Sequence, residues 1–146
     1  MPRAPRYVRP VIDAAILRSD PDRIRESQRR RGEDVSLVDR LIEADQQSRA
    51  ARQHFDELRN EQKVLSKEIG PLQGQLKKAA DDAKPDLQSQ VDDLMSRAQD
   101  LADRVKAAEV DADEAAGRAD AIWREVSNLV DLTSPVGGEE DFVVLE

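Results

Sequence analysis

Two long stretches of the sequence repeat apolar residues at alternating steps of four and three. The first covers 37–79 and the second covers 87–129, and each holds thirteen such positions. Only Ser48 and Gln62 break the apolar rule in the first stretch, and nothing breaks it in the second. A heptad pattern sustained over about six repeats is typical of a coiled coil, whereas a helix of a compact bundle usually shows a wider apolar stripe. The repeat therefore predicts two long helices that pack along a narrow seam.

A short, polar connection between the two stretches predicts that the helices run antiparallel. It spans 80–85, and Pro85 suits the first turn of a new helix. The flanking g positions of the heptads test this independently, with Leu41 and Val91 taken as a positions. In an antiparallel pair of helices, g positions face each other. If paired g residues have numbers that sum to 165, Glu68 faces Arg97 and Glu61 faces Arg104, with no like-charged pair among the five. The midpoint, 82.5, lies inside the connection. Each exposed pair is worth only about 0.2–1 kcal/mol, so such pairs set register more than stability.

Composition excludes several classes of chemistry. The chain has no Cys, so disulfides, thiolate metal sites and a Cys nucleophile are absent. Its only His, His54, falls at a g position, where a solvated side chain is expected rather than a ligand. Aromatic residues make up 3%, too few for a large globular core, and two helices enclose no catalytic pocket. No apolar run approaches the ~20 residues needed to cross a bilayer, and no signal peptide is visible, so we expect no membrane partner and a cytoplasmic location.

Local signals set the predicted boundaries. Residues 1–10 hold three Pro and three Arg and are predicted to be a disordered basic extension. Short helices are predicted over 13–31, with Asp20 as an N-cap and Gly32 as a C-terminal stop. Long helices follow over 36–79, with Ser36 as N-cap, and over 85–130. The predicted fold is all-α: a long antiparallel two-helix coiled-coil hairpin with two short N-terminal helices at its base. Residues 11–131 form this domain, and 132–146 form a linker and a first strand.

Two features of the seam give sharper predictions. Gly70-Pro71 interrupts the first long helix, but the heptad phase continues across it, which favours a kink over a chain reversal. The alternative is a helix that ends at Gly70 and a separate short helix after Pro71. The second stretch is rich in alanine over 108–119. Phe55 is therefore expected to pack against these small residues.

Charge indicates where a polyanion would bind. Residues 1–31 carry a net charge of +5 and the remainder −13, which points to a polyanion partner near the N-terminus or to a solvated basic helix. Within 59–78 the net charge is +3, whereas 85–131 carries −7. The candidate RNA-binding residues are Arg52, Arg59, Lys63, Lys67, Lys77 and Lys78. The competing interpretations are a merely solvated face and a structural or adaptor coiled-coil hairpin that binds protein partners. No catalytic residue is predicted.

The sequence resembles the seryl-tRNA synthetase family. The residues that carry the resemblance are Val11-Ile12-Asp13, Leu17-Arg18, Pro21-Asp22 and Ser27-Gln28-Arg29 at the start, Leu58 to Lys63 and Ser66-Lys67-Glu68-Ile69-Gly70 on the first long helix, and Ser127-Asn128-Leu129 at the exit. The resemblance implies a coiled-coil arm that grips the long variable arm of serine tRNA. It also implies a homodimer whose class II catalytic domain uses ATP and Mg²⁺. The motifs of that catalytic domain are not found in this sequence. A free-standing relative of the arm with another RNA role stays open.

Overall fold

The computed structural model describes residues 14–127 and Leu129 of the 146-residue chain. Four helices make up nearly all of this part: α1 (Ala14–Ser19), α2 (Pro21–Arg30), α3 (Ser36–Lys78) and α4 (Lys84–Glu125). The fold is an all-α, antiparallel coiled-coil hairpin with two short helices at its base, as predicted. The expected extension over 1–10 and the linker and strand over 132–146 lie outside the described residues. The chain divides into a base unit (1–46 and 118–146) and a hairpin unit (47–117).

In the base unit, local hydrogen bonds fix both ends of α2. The Asp20 carboxylate accepts a hydrogen bond from the Arg23 backbone N–H at 3.3 Å, and Pro21 opens the helix, as predicted. Gly32 has a φ of +70°, which favours glycine because other residues are strained there. The N–H groups of Gly32 and Glu33 then donate back to the last carbonyls of the helix, at 3.0 and 2.9 Å. This arrangement is a Schellman motif.

The start of α3 differs from the prediction. Ser36 is the first helical residue and not the cap. The Asp34 carboxylate instead accepts hydrogen bonds from the Ser36 backbone N–H at 2.9 Å and from its hydroxyl at 2.8 Å. These two bonds lower the pKa of Asp34, the hydroxyl contributing most. Asp34 therefore takes the capping role assigned to Ser36 because its carboxylate has two acceptor oxygens.

The base unit has its own apolar core. Its buried residues come from α1, α2, the start of α3 and the segment after α4: Leu17, Ile24, Val38, Leu41 and Leu129. Trp123 packs against this cluster. The Arg18 guanidinium forms two hydrogen bonds with the Asp45 carboxylate, at 2.8 and 3.0 Å, and so ties α1 to α3. This core and this ion pair fix the two short helices on the base.

In the hairpin unit, the seam forms the core as the heptads predict. Six of its buried members form one cluster: Phe55, Leu58, Leu65, Leu101, Ala108 and Ala112. Every seam position of 48–79 and 87–115 is buried or half-buried, including the polar Ser48 and Gln62. Gln73 Nε2 lies 3.9 Å from Met95 Sδ, and Leu65 lines a groove with Leu101. From one contact to the next, the residue number decreases along α3 and increases along α4, as it does in an antiparallel hairpin.

The observed helix ends correct one predicted bound and reject one alternative. α4 ends at Glu125 and not at 130, because the Ser127 hydroxyl leaves the helix to donate to Glu33 Oε1 at 2.7 Å. The apolar spacing nevertheless continues to the buried Leu129, which is why the pattern overran the helix. Pro71 lies inside α3, which continues to Lys78, so the alternative of a helix that ends at Gly70 is wrong. The kink at Pro71 stays a prediction.

Candidate nucleic-acid interface

The six predicted RNA-binding residues all lie on α3 within the hairpin unit, and all six are exposed: Arg52, Arg59, Lys63, Lys67, Lys77 and Lys78. Arg52 and Arg59 occupy e positions, directly beside the seam. The four lysines occupy outer b, c and f positions. The set therefore forms a basic surface that runs from the flank of the seam onto the outer side of α3, and we call it the α3 basic surface.

The two arginines of this surface converge on one aromatic ring. The guanidinium carbon of Arg52 lies 5.2 Å from the centroid of the Phe55 ring, and that of Arg59 lies 5.6 Å from it. Both distances are within the range of cation–π attraction. Arg52 Nε also lies 3.6 Å from an Asp56 carboxylate oxygen, with both side chains more than half exposed. An exposed pair of this kind is weak, so Arg52 keeps its positive charge available.

The four lysines are unpaired. Among the described residues, none of the four lies within ion-pair distance of a carboxylate. Lys63 and Lys67 are one helical turn apart, and Lys77 and Lys78 close the last turn of α3, where cations also stabilise the helix end. Long, solvated lysines that are not engaged by neighbouring acids can bind the phosphates of a nucleic acid and release its counterions.

Four arginines of the base unit are engaged instead in ion pairs. Arg18 pairs with Asp45, Arg25 with Asp39 and Asp22, and Arg29 and Arg30 with Glu26. Arg30 and Arg29 lower the pKa of Glu26, and Asp39 and Asp22 raise the pKa of Arg25. These pairs leave fewer free cations for a polyanion site near the N-terminus, although Arg23 and Arg31 are exposed and have no ion pair among the described residues. The other N-terminal arginines, Arg3, Arg6 and Arg9, lie outside the described residues.

The opposite side of the hairpin carries mixed charge. Glu61, Leu65, Arg97 and Leu101 line an open groove there, with Glu68 at one end and Arg104 at the other. This arrangement agrees with the predicted register of Glu61 opposite Arg104 and Glu68 opposite Arg97. Neither pair closes to an ion pair in the part of the chain that the structure describes. A groove of mixed sign attracts a polyanion less than the α3 basic surface does.

Comparison with known proteins decides the family. The family model for the seryl-tRNA synthetase N-terminal domain matches residues 11–130. The chain belongs to this family. A serine–tRNA ligase of Streptomyces coelicolor is 48% identical over 136 residues, and one of Acidothermus cellulolyticus is 48% identical over 140 residues. Each alignment covers 93% of this chain and 29% of the relative, so the chain spans less than a third of the length of these relatives.

A solved structure supports the fold of this family member. The crystal structure of a cytoplasmic serine–tRNA ligase from Naegleria fowleri, in complex with AMP, has a TM-score of 0.73 and is 22% identical. The match covers 93% of this chain and 34% of that one. Over the described residues, no helix is long and apolar enough to cross a membrane, and no group of His, Cys, Asp or Glu could hold a metal ion.

Sequence reasoning placed the basic residues but missed the role of one aromatic residue. Phe55 was identified as a core residue that packs against small alanines, and it is 4% exposed in the same cluster as Ala108 and Ala112. Its contacts with Arg52 and Arg59 were not predicted. The signal was present, because an aromatic seam residue with arginine three positions before it and four positions after it has both on its own helical face.

Proposed function

We propose that this chain is the tRNA-binding arm of a serine–tRNA ligase. The arm grips the long variable arm of serine-specific tRNA and positions it for aminoacylation by a class II catalytic domain that is not present in these 146 residues. The observation that carries the proposal is the α3 basic surface, with unpaired lysines on a coiled-coil hairpin of this family. The surface binds phosphates, and the hairpin register keeps its charges in fixed positions on one helix.

The rest of the proposal concerns the full-length enzyme. It is a cytoplasmic homodimer in which the arm of one subunit presents tRNA to the active site of the other. ATP and Mg²⁺ bind to the catalytic domain and not to the arm. The arm contributes binding and orientation, which lower the entropic cost of bringing the acceptor end to the active site.

A binding titration tests the proposal. Fluorescence anisotropy would measure the affinity of the full 146-residue chain for a labelled serine tRNA and for the same tRNA with its variable arm deleted. We expect tighter binding to the intact tRNA. Lys63→Gln combined with Lys67→Gln should weaken binding and reduce the slope of log K against log salt by about 2.

The matched control is Arg104→Gln, which removes an exposed cation from the groove on the opposite side of the hairpin. It should leave both affinity and slope within error. Equal affinity for the two tRNAs would contradict gripping of the variable arm. No tRNA binding at low salt would instead favour the alternative of a structural or adaptor coiled-coil hairpin that binds protein partners.

A further inference from the structure

Phe55 joins the hydrophobic seam to the α3 basic surface. Its ring is 4% exposed and belongs to the hairpin core. The guanidinium carbons of Arg52 and Arg59 nevertheless lie 5.2 and 5.6 Å from its centroid. One side chain therefore contributes to packing and also contacts two exposed cations. Phe55 is the only Phe, Trp or Tyr within 47–117, so no other ring in the hairpin unit offers this contact.

The surroundings of the ring restrict it to one position. Ala108 and Ala112 of α4 are buried in the same cluster, so the ring fills the space that these small side chains leave. A fixed ring presents a fixed negative π face, and arginine stacks on such faces more readily than lysine because its guanidinium is planar and weakly hydrated. The two arginines of the α3 basic surface are the two residues beside the ring, while its four lysines lie elsewhere on the helix.

Both guanidinium groups stay open to a ligand. Arg59 has no carboxylate partner among the described residues, and Arg52 has only the long contact of 3.6 Å to Asp56. The two guanidinium carbons lie no farther apart than the sum of their distances to the centroid, about 11 Å. Guanidinium groups no farther apart than this, each on a long side chain, are close enough to contact phosphates of one strand.

We propose that Phe55 is a positioning residue for RNA binding, whose buried ring holds Arg52 and Arg59 ready to contact phosphates of one RNA strand. This inference rests on the proposed function. A free arginine loses much of its rotamer freedom when it binds a phosphate, and contact with the ring removes part of that cost before binding. For two arginines that are partly ordered in advance, the gain in affinity is about five- to tenfold.

The test separates positioning from charge. Phe55→Leu keeps an apolar seam residue and both arginines but removes the ring. We expect it to weaken binding of a transcribed serine tRNA about five- to tenfold, with an unchanged salt slope. Arg52→Gln combined with Arg59→Gln should weaken binding and also reduce the slope by about 2. In that double-arginine background, Phe55→Leu should have no further effect, because nothing is left to position.

Two controls exclude a purely structural effect. Phe55→Tyr keeps the ring and should stay within about twofold of the unsubstituted chain. Leu101→Ala loosens the same core from α4 but keeps Phe55 and both arginines, and it should leave affinity unchanged while the chain remains folded by circular dichroism. Equal tRNA affinity for Phe55→Leu and the unsubstituted chain would overturn the inference, as would an undiminished loss in the double-arginine background. Failure of the unsubstituted chain to bind tRNA would reject the proposed function itself.

Discussion

Substitutions that shrink Phe55 and enlarge Ala112 test directly whether these two residues pack against each other in the hairpin. Both residues are buried in one cluster, at 4% and 6% exposure, on different helices. Burial of a phenylalanine removes about 150 Å² from water, which at ~25 cal/mol per Å² gives about 4 kcal/mol, an upper estimate because the unfolded chain already buries part of this area. Phe55→Ala should therefore cost about 3–4 kcal/mol, at the lower end of the usual range, because two helices can close partly over a small cavity.

The reverse change fills the same space from the other helix. Ala112→Leu alone should cost about 1–3 kcal/mol by overpacking against the ring. In the double variant the leucine occupies the volume that Phe55→Ala leaves, so the loss should fall short of the sum of the two single losses. We expect a coupling energy of about 2 kcal/mol. Urea unfolding, followed by circular dichroism at 222 nm, measures all three losses.

Ala107→Leu is the matched control, because Ala107 is exposed on the outer side of the same helix. Its effect should be small and should add to that of Phe55→Ala. Additivity of Phe55→Ala and Ala112→Leu to within about 0.5 kcal/mol would refute the packing of these two residues against each other.

Three further perturbations test other parts of the molecule. The neighbouring guanidinium groups of Arg30 and Arg29 lower the pKa of Glu26 in the folded chain. The ionised carboxylate therefore stabilises the fold above pH 4.5, the pKa of a free Glu side chain, and this contribution is lost as the pH falls further. Glu26→Gln should flatten the acid side of a plot of melting temperature against pH. Gly32→Ala should cost about 1–2 kcal/mol in urea unfolding because φ is +70°, whereas Gly117→Ala, inside α4, should stabilise by about 0.5–1 kcal/mol. Pro71→Ala should stabilise the hairpin by about 2–3 kcal/mol, seen as slower amide hydrogen exchange near the tip, and faster exchange would contradict this.

The heptad pattern predicted the fold well because burial in a coiled coil is periodic along each helix. The seam, the antiparallel register and the placement of the basic residues on α3 all follow from that period. The pattern failed where the chain leaves the helix but keeps its spacing, as between Val126 and Leu129. It also missed the Asp34 cap, since both Asp34 and Ser36 are good capping residues and only the hydrogen bonds distinguish them.

The candidate site was predicted in part. Charge and spacing selected the basic residues of α3, and the structure adds which of the chain's cations are paired. Arg29 and Arg30 pair with Glu26 within α2, at spacings of three and four that the sequence does show. Arg18 and Arg25 pair with acids of α3, and these contacts between helices are contained in no local pattern. The contact of Arg52 and Arg59 with a buried ring is likewise a product of packing.

The antiparallel seam also has a consequence for the order in which the chain gains structure. Closing the short loop between Gln73 and Met95, which are 22 residues apart, costs about 1.3 kcal/mol less entropy than joining Glu33 to Ser127, which are 94 apart. Of the seam positions nearest the turn, only Val91 is buried and the others are half-buried, so they reward closure weakly. The first layer outward in which both helices contribute a buried residue is Leu65 with Leu101, and nucleation is expected there, followed by zipping toward the termini. Pulse-labelled hydrogen exchange during refolding would reveal protection at this layer before protection at Leu41.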